Sequence, residues 1–149
     1  MLFTVALIFT VSSSFTKNEE VLTWHTNIEI AKQKAKSENR KIFMNFSGSD
    51  WCANCMRLEK TLFESKEFYA YAKANLILLK VDFPAKKKNA LTEEQQNHND
   101  KLADKYNKLG VFPSVFILDY NTTVLGQMKH PQKSNADYLN NINTIVRSK

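Results

Sequence analysis

The chain reads as one α/β domain with a mixed central β-sheet and helices on both of its faces. Short apolar runs alternate with segments whose apolar residues recur at helical spacing, the pattern of parallel strands joined by helical crossovers. The last two apolar runs are separated only by residues 119–121, so those strands should pair antiparallel. A length of 149 residues, 43% apolar and 24% charged, suits one core of ordinary composition.

The first segment stands apart. Leu2 to Val11 is apolar and uncharged, and Ser12 to Ser14 follow with small side chains. This predicts an export signal over residues 1–14 and a mature domain over 15–149. No Lys or Arg precedes the run, and the alternative is a buried N-terminal strand. No cysteine follows it, so a lipid anchor is not expected. Export would place the domain where disulfides persist.

Val21 to Thr26 (VLTWHT) predicts a first strand. Asn27 caps a helix running to about Glu38, with Ile28, Ala31 and Ala35 on one face. Lys41 to Phe46 (KIFMNF) is a strand, broken by Ser47-Gly48-Ser49-Asp50. From Cys52 the pattern is helical, with Cys55, Leu58 and Leu62 on one stripe. Ser65 caps a helix through about Ala74, and Leu76 to Phe83 (LILLKVDF) is the most apolar strand. Pro84 to Leu91 is a lysine-bearing loop. Thr92 and Gln95 make a capping box for a helix ending near Gly110, with Leu102, Tyr106 and Leu109 inward. Val115 to Leu118 and Thr123 to Met128 are strands. Ser134 starts a last helix that turns Tyr138, Ile142, Ile145 and Val146 to the core.

Composition excludes several functions. Three Gly and three Pro rule out collagen-like chains and Pro-rich linkers, and two Cys rule out a disulfide-dense scaffold. No apolar run approaches the roughly 20 residues of a membrane-spanning helix. The net charge is +6, but a nucleic-acid module would need a broad basic face with base-stacking aromatics. The one notable charge run, Lys86 to Lys88, reads as a solvated loop, so no nucleic-acid partner is expected.

The chemistry lies in Trp51-Cys52-Ala53-Asn54-Cys55. A C-x-x-C pair after an apolar strand and opening a helix is a redox signature. Cys52 falls in the first turn, where unpartnered N–H groups and the helix dipole stabilise a thiolate. Cys55 shares its stripe with Leu58 and Leu62 and should face the core. One thiol is then offered to solvent and the other held behind it, as a nucleophile and its resolving partner require. A thiol of pKa ~8.5 is about 3% ionised at pH 7, and one at ~7 about half, roughly a 16-fold gain. Nucleophilicity falls with basicity, leaving a net gain of about threefold. The larger benefits are a better leaving group and an intramolecular second attack.

Other readings of the pair remain open. A structural disulfide across two residues would close a very small loop. A zinc site needs four ligands, and there is no second C-x-x-C; His25, His98 and His130 are far apart in sequence. Cu(I) suits two thiolates better, with Met56 or a histidine assisting. Haem attachment would need His at position 56, which is Met.

With WCANC after KIFMNF and GVFPSVFIL near the far end, the chain resembles the thioredoxin superfamily. Within it, FSGSDWCANCMRLEKTLFES followed by LILLKVDF is similar to exported thioredoxin-like proteins related to the C-terminal domain of the DsbD transmembrane reductase. The resemblance covers about residues 21–145. It implies a thioredoxin-like fold and a protein thiol–disulfide oxidoreductase, with Cys52 attacking and Cys55 resolving. Pro113 matches the proline whose preceding peptide is cis, and the backbone before it pairs with substrate by strand addition. Phe112 would modulate access, and Trp51 matches the aromatic beside the pair. No dissociable cofactor and no metal are implied, only the Cys52–Cys55 disulfide. The partners would be protein disulfides or dithiols, with a membrane thiol reductase as electron donor. The resemblance further implies a monomer in a bacterial periplasm.

The sequence departs from the family where thioredoxins carry a buried Asp that helps deprotonate the resolving cysteine. Here Asn45 is nearest, and Asn cannot act as a base. Asp50 or Glu59 are the carboxylates left to substitute. The intervening dipeptide is Ala53-Asn54 and lacks His, so no added cation depresses the Cys52 pKa. A reducing or intermediate couple is expected, rather than a strong oxidant. Two rivals stand beside this reading: a Cu(I)-handling module, and a non-catalytic protein that holds peptides beside Pro113.

Overall fold

The computed structural model describes residues 21–148, so the expected export segment lies outside the described residues. The helix starts follow from local chemistry. Asn27, Ser65, Thr92 and Ser134 each turn a side-chain oxygen onto backbone N–H groups of the first turn, at α1 (Ile28–Glu38), α3 (Lys66–Asn75), α4 (Glu93–Tyr106) and α5 (Asn135–Arg147). Cys52 does the same with sulfur for α2 (Ala53–Leu58), which widens into a π turn over Glu59–Phe63. A 3-10 turn, Lys87–Asn89, interrupts the lysine loop.

Five strands, β1 (Trp24–His25), β2 (Lys41–Ser47), β3 (Leu76–Asp82), β4 (Ser114–Leu118) and β5 (Val124–Gln127), form one sheet in the order β1-β3-β2-β4-β5. β3 pairs parallel with β1 and β2, while β4 pairs antiparallel with β2 and β5. The mixed sheet is as the sequence predicted.

Side-chain alternation along the central strands divides the core in two. Ile42, Met44 and Phe46 join Ala31, Ala35 and Leu102 on the α1 and α4 side. Phe43 joins Leu58, Leu62, Phe68 and Ile142 on the side of α2, α3 and α5. Phe43 is fully buried, with Phe63, Phe68 and Trp24 ring centroids 5.6, 5.5 and 6.1 Å away. Burial of one such ring contributes about 1.5–3 kcal/mol. This cluster seats α2 and its π turn against the end of β2.

Three expectations need correction. The first strand holds only Trp24 and His25, not residues 21–26. The helix expected to reach Gly110 stops at Tyr106, because the Asn107 side chain bonds both backbone groups of Val111: Nδ2 donates to its carbonyl (3.0 Å) and Oδ1 accepts from its N–H (3.2 Å). Gly110 then takes φ +62° in the turn that follows. Leu109, expected in the apolar stripe, lies beyond the helix and is 90% exposed.

Candidate active site

β2 delivers the chain to a turn, Gly48 to Trp51, in which the Cys52 N–H donates to the Gly48 carbonyl (2.9 Å). The turn is held by the end of β3. Ser49 donates to both carboxylate oxygens of Asp82, from its backbone N–H (2.9 Å) and its hydroxyl (2.6 Å). Buried Asn99 on α4 donates to the Asp82 carbonyl (2.8 Å), linking the turn to the opposite face of the sheet.

Cys52 and Cys55 are joined by a disulfide, with Cα atoms 5.2 Å apart. Cys52 is the N-cap, one position before the helix proper, and its Sγ accepts the Cys55 N–H at 3.2 Å. A thiolate at that sulfur would meet the same amide. The expected asymmetry of exposure is small. Cys52 is 7% exposed and Cys55 3%, because the bond and the capping contact draw the outer sulfur back over the first turn.

Trp51 is half-exposed and rigidly placed. Its indole N–H donates to the Phe83 carbonyl (2.7 Å), and its ring meets Phe112 edge-on at 5.5 Å. Phe83 closes the group at 5.7 Å from Phe112. Gly48 makes room for it: a Cβ there would lie 2.5 Å from Trp51 Cζ2 and 2.7 Å from Nε1. Phe112 precedes Pro113 through a cis peptide, the isomer that the resemblance implied. The Trp51–Phe112 contact therefore brings the cysteine turn and the proline turn together. Pro113 leads into β4, an interior strand, rather than an edge.

Two cavities flank this junction. One, of about 320 Å³, is lined by Val111, Pro113, Gln127, Met128, Lys129 and His130. The other, of about 430 Å³, has Asn54, Arg57 and Leu58 on one wall and His130, Lys133 and Tyr138 on the other. His130 and Pro131 are joined by a second cis peptide that the sequence did not announce. The Tyr138 hydroxyl accepts from the Gln132 N–H and shares a hydrogen bond with His130 Nδ1 at 2.6 Å. Burial pushes the His130 pKa down.

The carboxylates near the pair divide by what they bond. Asp50 accepts from the Ala85 and Lys86 N–H groups (2.8 and 3.0 Å) and from Asn89 Nδ2 (2.8 Å). Those bonds, the Ala85 N–H first, hold its carboxyl below the usual carboxylate range. Glu59 is one helical turn beyond Cys55, and its N–H donates to the Cys55 carbonyl. Its side chain lies 3.7 Å from Lys80 Nζ. Asn45 pairs in register with Lys80 and falls on the Phe43 side of β2, toward α2. Its Oδ1 is buried without a hydrogen-bond partner among the described residues. Ala53 and Asn54 are exposed. Among the described residues, no group of three or more His, Cys, Asp or Glu gathers as a metal site.

Residues 23–119, which include the strand, turn, disulfide and cis-proline described above, match the family model described as thioredoxin-like. The chain belongs to the thioredoxin-like family. Disulfide bond reductase DsbH of Chlamydia pneumoniae is 30% identical over 126 residues, spanning 85% of this chain and 74% of that one. Thioredoxin-related protein DsbJ of the same organism is 27% identical over 111 residues, 74% of this chain but 31% of DsbJ. A solved DsbH oxidoreductase structure superposes with a TM-score of 0.78 at 29% identity, covering 87% of this chain and 88% of that one. These Dsb relatives are of the kind that FSGSDWCANCMRLEKTLFES followed by LILLKVDF pointed to. This thioredoxin-like chain is thus an oxidoreductase whose redox group is the Cys52–Cys55 disulfide, and its chemistry is thiol–disulfide exchange.

The sequence did not reveal the Ser49–Asp82 bonds, the seat of Trp51 on Gly48 or the His130–Tyr138 contact. Ser-Gly-Ser-Asp signals a turn and nothing more, and the partners lie 3, 8 and 33 positions apart.

Proposed function

We propose that the chain reduces disulfides in protein substrates outside the cytoplasm, in a bacterial periplasm, as a monomer. The observation that carries this reading is the Cys52 sulfur at the helix N-cap, bonded to Cys55 and accepting its N–H, beside a cis-proline turn. The similarity to a disulfide bond reductase supports the direction.

In the reduced protein, Cys52 thiolate attacks one sulfur of a substrate disulfide. The new S–S bond forms as the substrate's bond breaks, and the departing substrate thiolate takes a proton from water. Cys55 then loses its proton, and its thiolate attacks Cys52 Sγ. The intramolecular disulfide closes, and the second substrate thiolate leaves and is protonated. Two electrons pass from the protein dithiol to the substrate. A dithiol reductant, such as a membrane thiol reductase, restores the pair.

The geometry supports the remaining roles. The backbone at Phe112, just before Pro113, would pair with an extended substrate segment, with Phe112 and Trp51 as its apolar wall. Glu59 is the better acceptor for the Cys55 proton. Asp50 has both carboxylate oxygens engaged by residues 85–89, whereas Glu59 lies a turn from Cys55 with Lys80 beside it. Asn45 supplies a buried acceptor in the same layer but cannot take the proton. Ala53 and Asn54 set the pair's environment without adding charge.

Insulin reduction driven by dithiothreitol tests this. Cys52→Ser should abolish turnover, and Cys55→Ser should accumulate a mixed disulfide through Cys52. Full turnover by Cys52→Ser would overturn the assignment. Tight, stoichiometric Cu(I) binding by the reduced protein with negligible insulin reduction would favour the metal-handling rival. Unchanged partner binding by a double cysteine variant without turnover would favour the peptide holder.

A further inference from the structure

Resting on the thiol-exchange reading, we propose that the disulfide face selects acidic substrates: protein segments that carry a disulfide beside an apolar residue and are flanked by Asp or Glu. The cations of this face fall in two wings. Lys86, Lys87 and Lys88 are exposed on the segment that Asp50 holds through the Ala85 and Lys86 amides, and Trp51 anchors the same segment at Phe83. Arg57, Lys129 and Lys133 form the second wing, lining the two cavities beside Asn54 and Pro113. Between the wings lie half-exposed Trp51 and Val111, 49% and 52% exposed.

The nearby acids offset only part of these charges. Glu59 is paired with Lys80, while Asp82, Asp137 and Asp50 accept from Ser49, Ser134, backbone and Asn89 groups, neutral donors that leave a carboxylate's charge in place. Glu93 and Glu94 open α4 just beyond the lysine wing, and with Glu59 set against Lys80 the six cations outnumber the remaining carboxylates named here. None of the six cations forms a salt bridge within 4.0 Å among the described residues. A single exposed ion pair changes an equilibrium only a few-fold. Several like charges around one opening act together on encounter, and raise association with an opposite charge by ~10-fold to 1,000-fold at low salt.

The test uses the full chain, reduced and freed of reductant, with two synthetic disulfide peptides. They share the disulfide and its apolar neighbour; one has Glu flanks and the other Lys flanks. Rates are read by acid quench and chromatography at about 0.01 M and 1 M NaCl, where the screening length falls from ~30 to ~3 Å. The proposal expects the Glu peptide to react at least ~10-fold faster at low salt, with the ratio near one at high salt. The triple variants K86E/K87E/K88E and R57E/K129E/K133E should each shrink or invert the ratio. K34E/K36E/K73E, an equal change in charge at the start of β2 away from the cysteines, should keep it. Equal low-salt rates for both peptides would overturn the proposal while leaving the exchange reading intact. The same loss of preference in the distal triple would also overturn it, since net charge alone would then be the cause. Reduction of neither peptide would overturn both readings.

Discussion

Replacing Gly48 by Ala tests how the cysteine turn is built. The new methyl would lie 2.5 Å from Trp51 Cζ2 and 2.7 Å from Nε1, well inside van der Waals contact. Gly48 is not in the left-handed region, so its backbone accepts Ala, and reduced unfolded-state freedom would favour the variant by about 0.4–1 kcal/mol. The indole must therefore move. Being half-exposed it can swing outward, but it then loses its bond to the Phe83 carbonyl, about 0.5–1.5 kcal/mol net. It also loses the edge-on contact with Phe112, again about 0.5–1.5 kcal/mol. The balance is a destabilisation of about 1 kcal/mol. In a Trp51→Ala background the obstruction is absent, and the same substitution should stabilise by about 0.4–1 kcal/mol. Urea unfolding of wild type, both single variants and the double variant closes the cycle. A change of sign between backgrounds, with red-shifted tryptophan emission in Gly48→Ala, is expected. Equal effects in both backgrounds would falsify the claim that Gly48 exists to seat Trp51.

Other outcomes follow from the same geometry. Phe43→Ala removes a fully buried ring from the cluster of Trp24, Phe63 and Phe68, and should cost about 3–5 kcal/mol by urea unfolding; a loss below 1 kcal/mol would refute that packing. Asp50 has a folded pKa below its unfolded value, so its contribution is complete above about pH 4 and is lost as pH falls through the folded value. Protection of the Ala85 and Lys86 amides, taken relative to their intrinsic exchange at each pH, should fall on acidification through that window, and Asp50→Ala should lower it at neutral pH. Protection unchanged by either would remove Asp50 from the loop's support.

Much of the fold was legible because its signals are local. Asn27, Ser65, Thr92 and Ser134 start helices through bonds to amides two or three residues away, so their types and positions suffice. The C-x-x-C pair after an apolar strand is likewise a short-range pattern. What failed was set by contacts that the periodicity does not carry. Leu109 keeps helical spacing with Leu102 and Tyr106, yet the Asn107 side chain takes the Val111 backbone and ends the helix before it. Cys52 was expected to be the solvent-facing thiol because Cys55 shares the core stripe of Leu58 and Leu62, but the bond to Cys55 and the capped amide hold Cys52 under as well. The π turn over Glu59–Phe63 has no sequence signature, and the bonds of Asp82 and Asp50 reach 33 and 35 residues along the chain.

The account stands most directly on a redox titration of the cysteine pair against glutathione and dithiothreitol, followed by thiol trapping and mass. It predicts one reversible two-electron transition, in the range between thioredoxin at about −270 mV and protein disulfide isomerase at about −180 mV. A pair that does not open and close reversibly, or a potential near −120 mV, would contradict it.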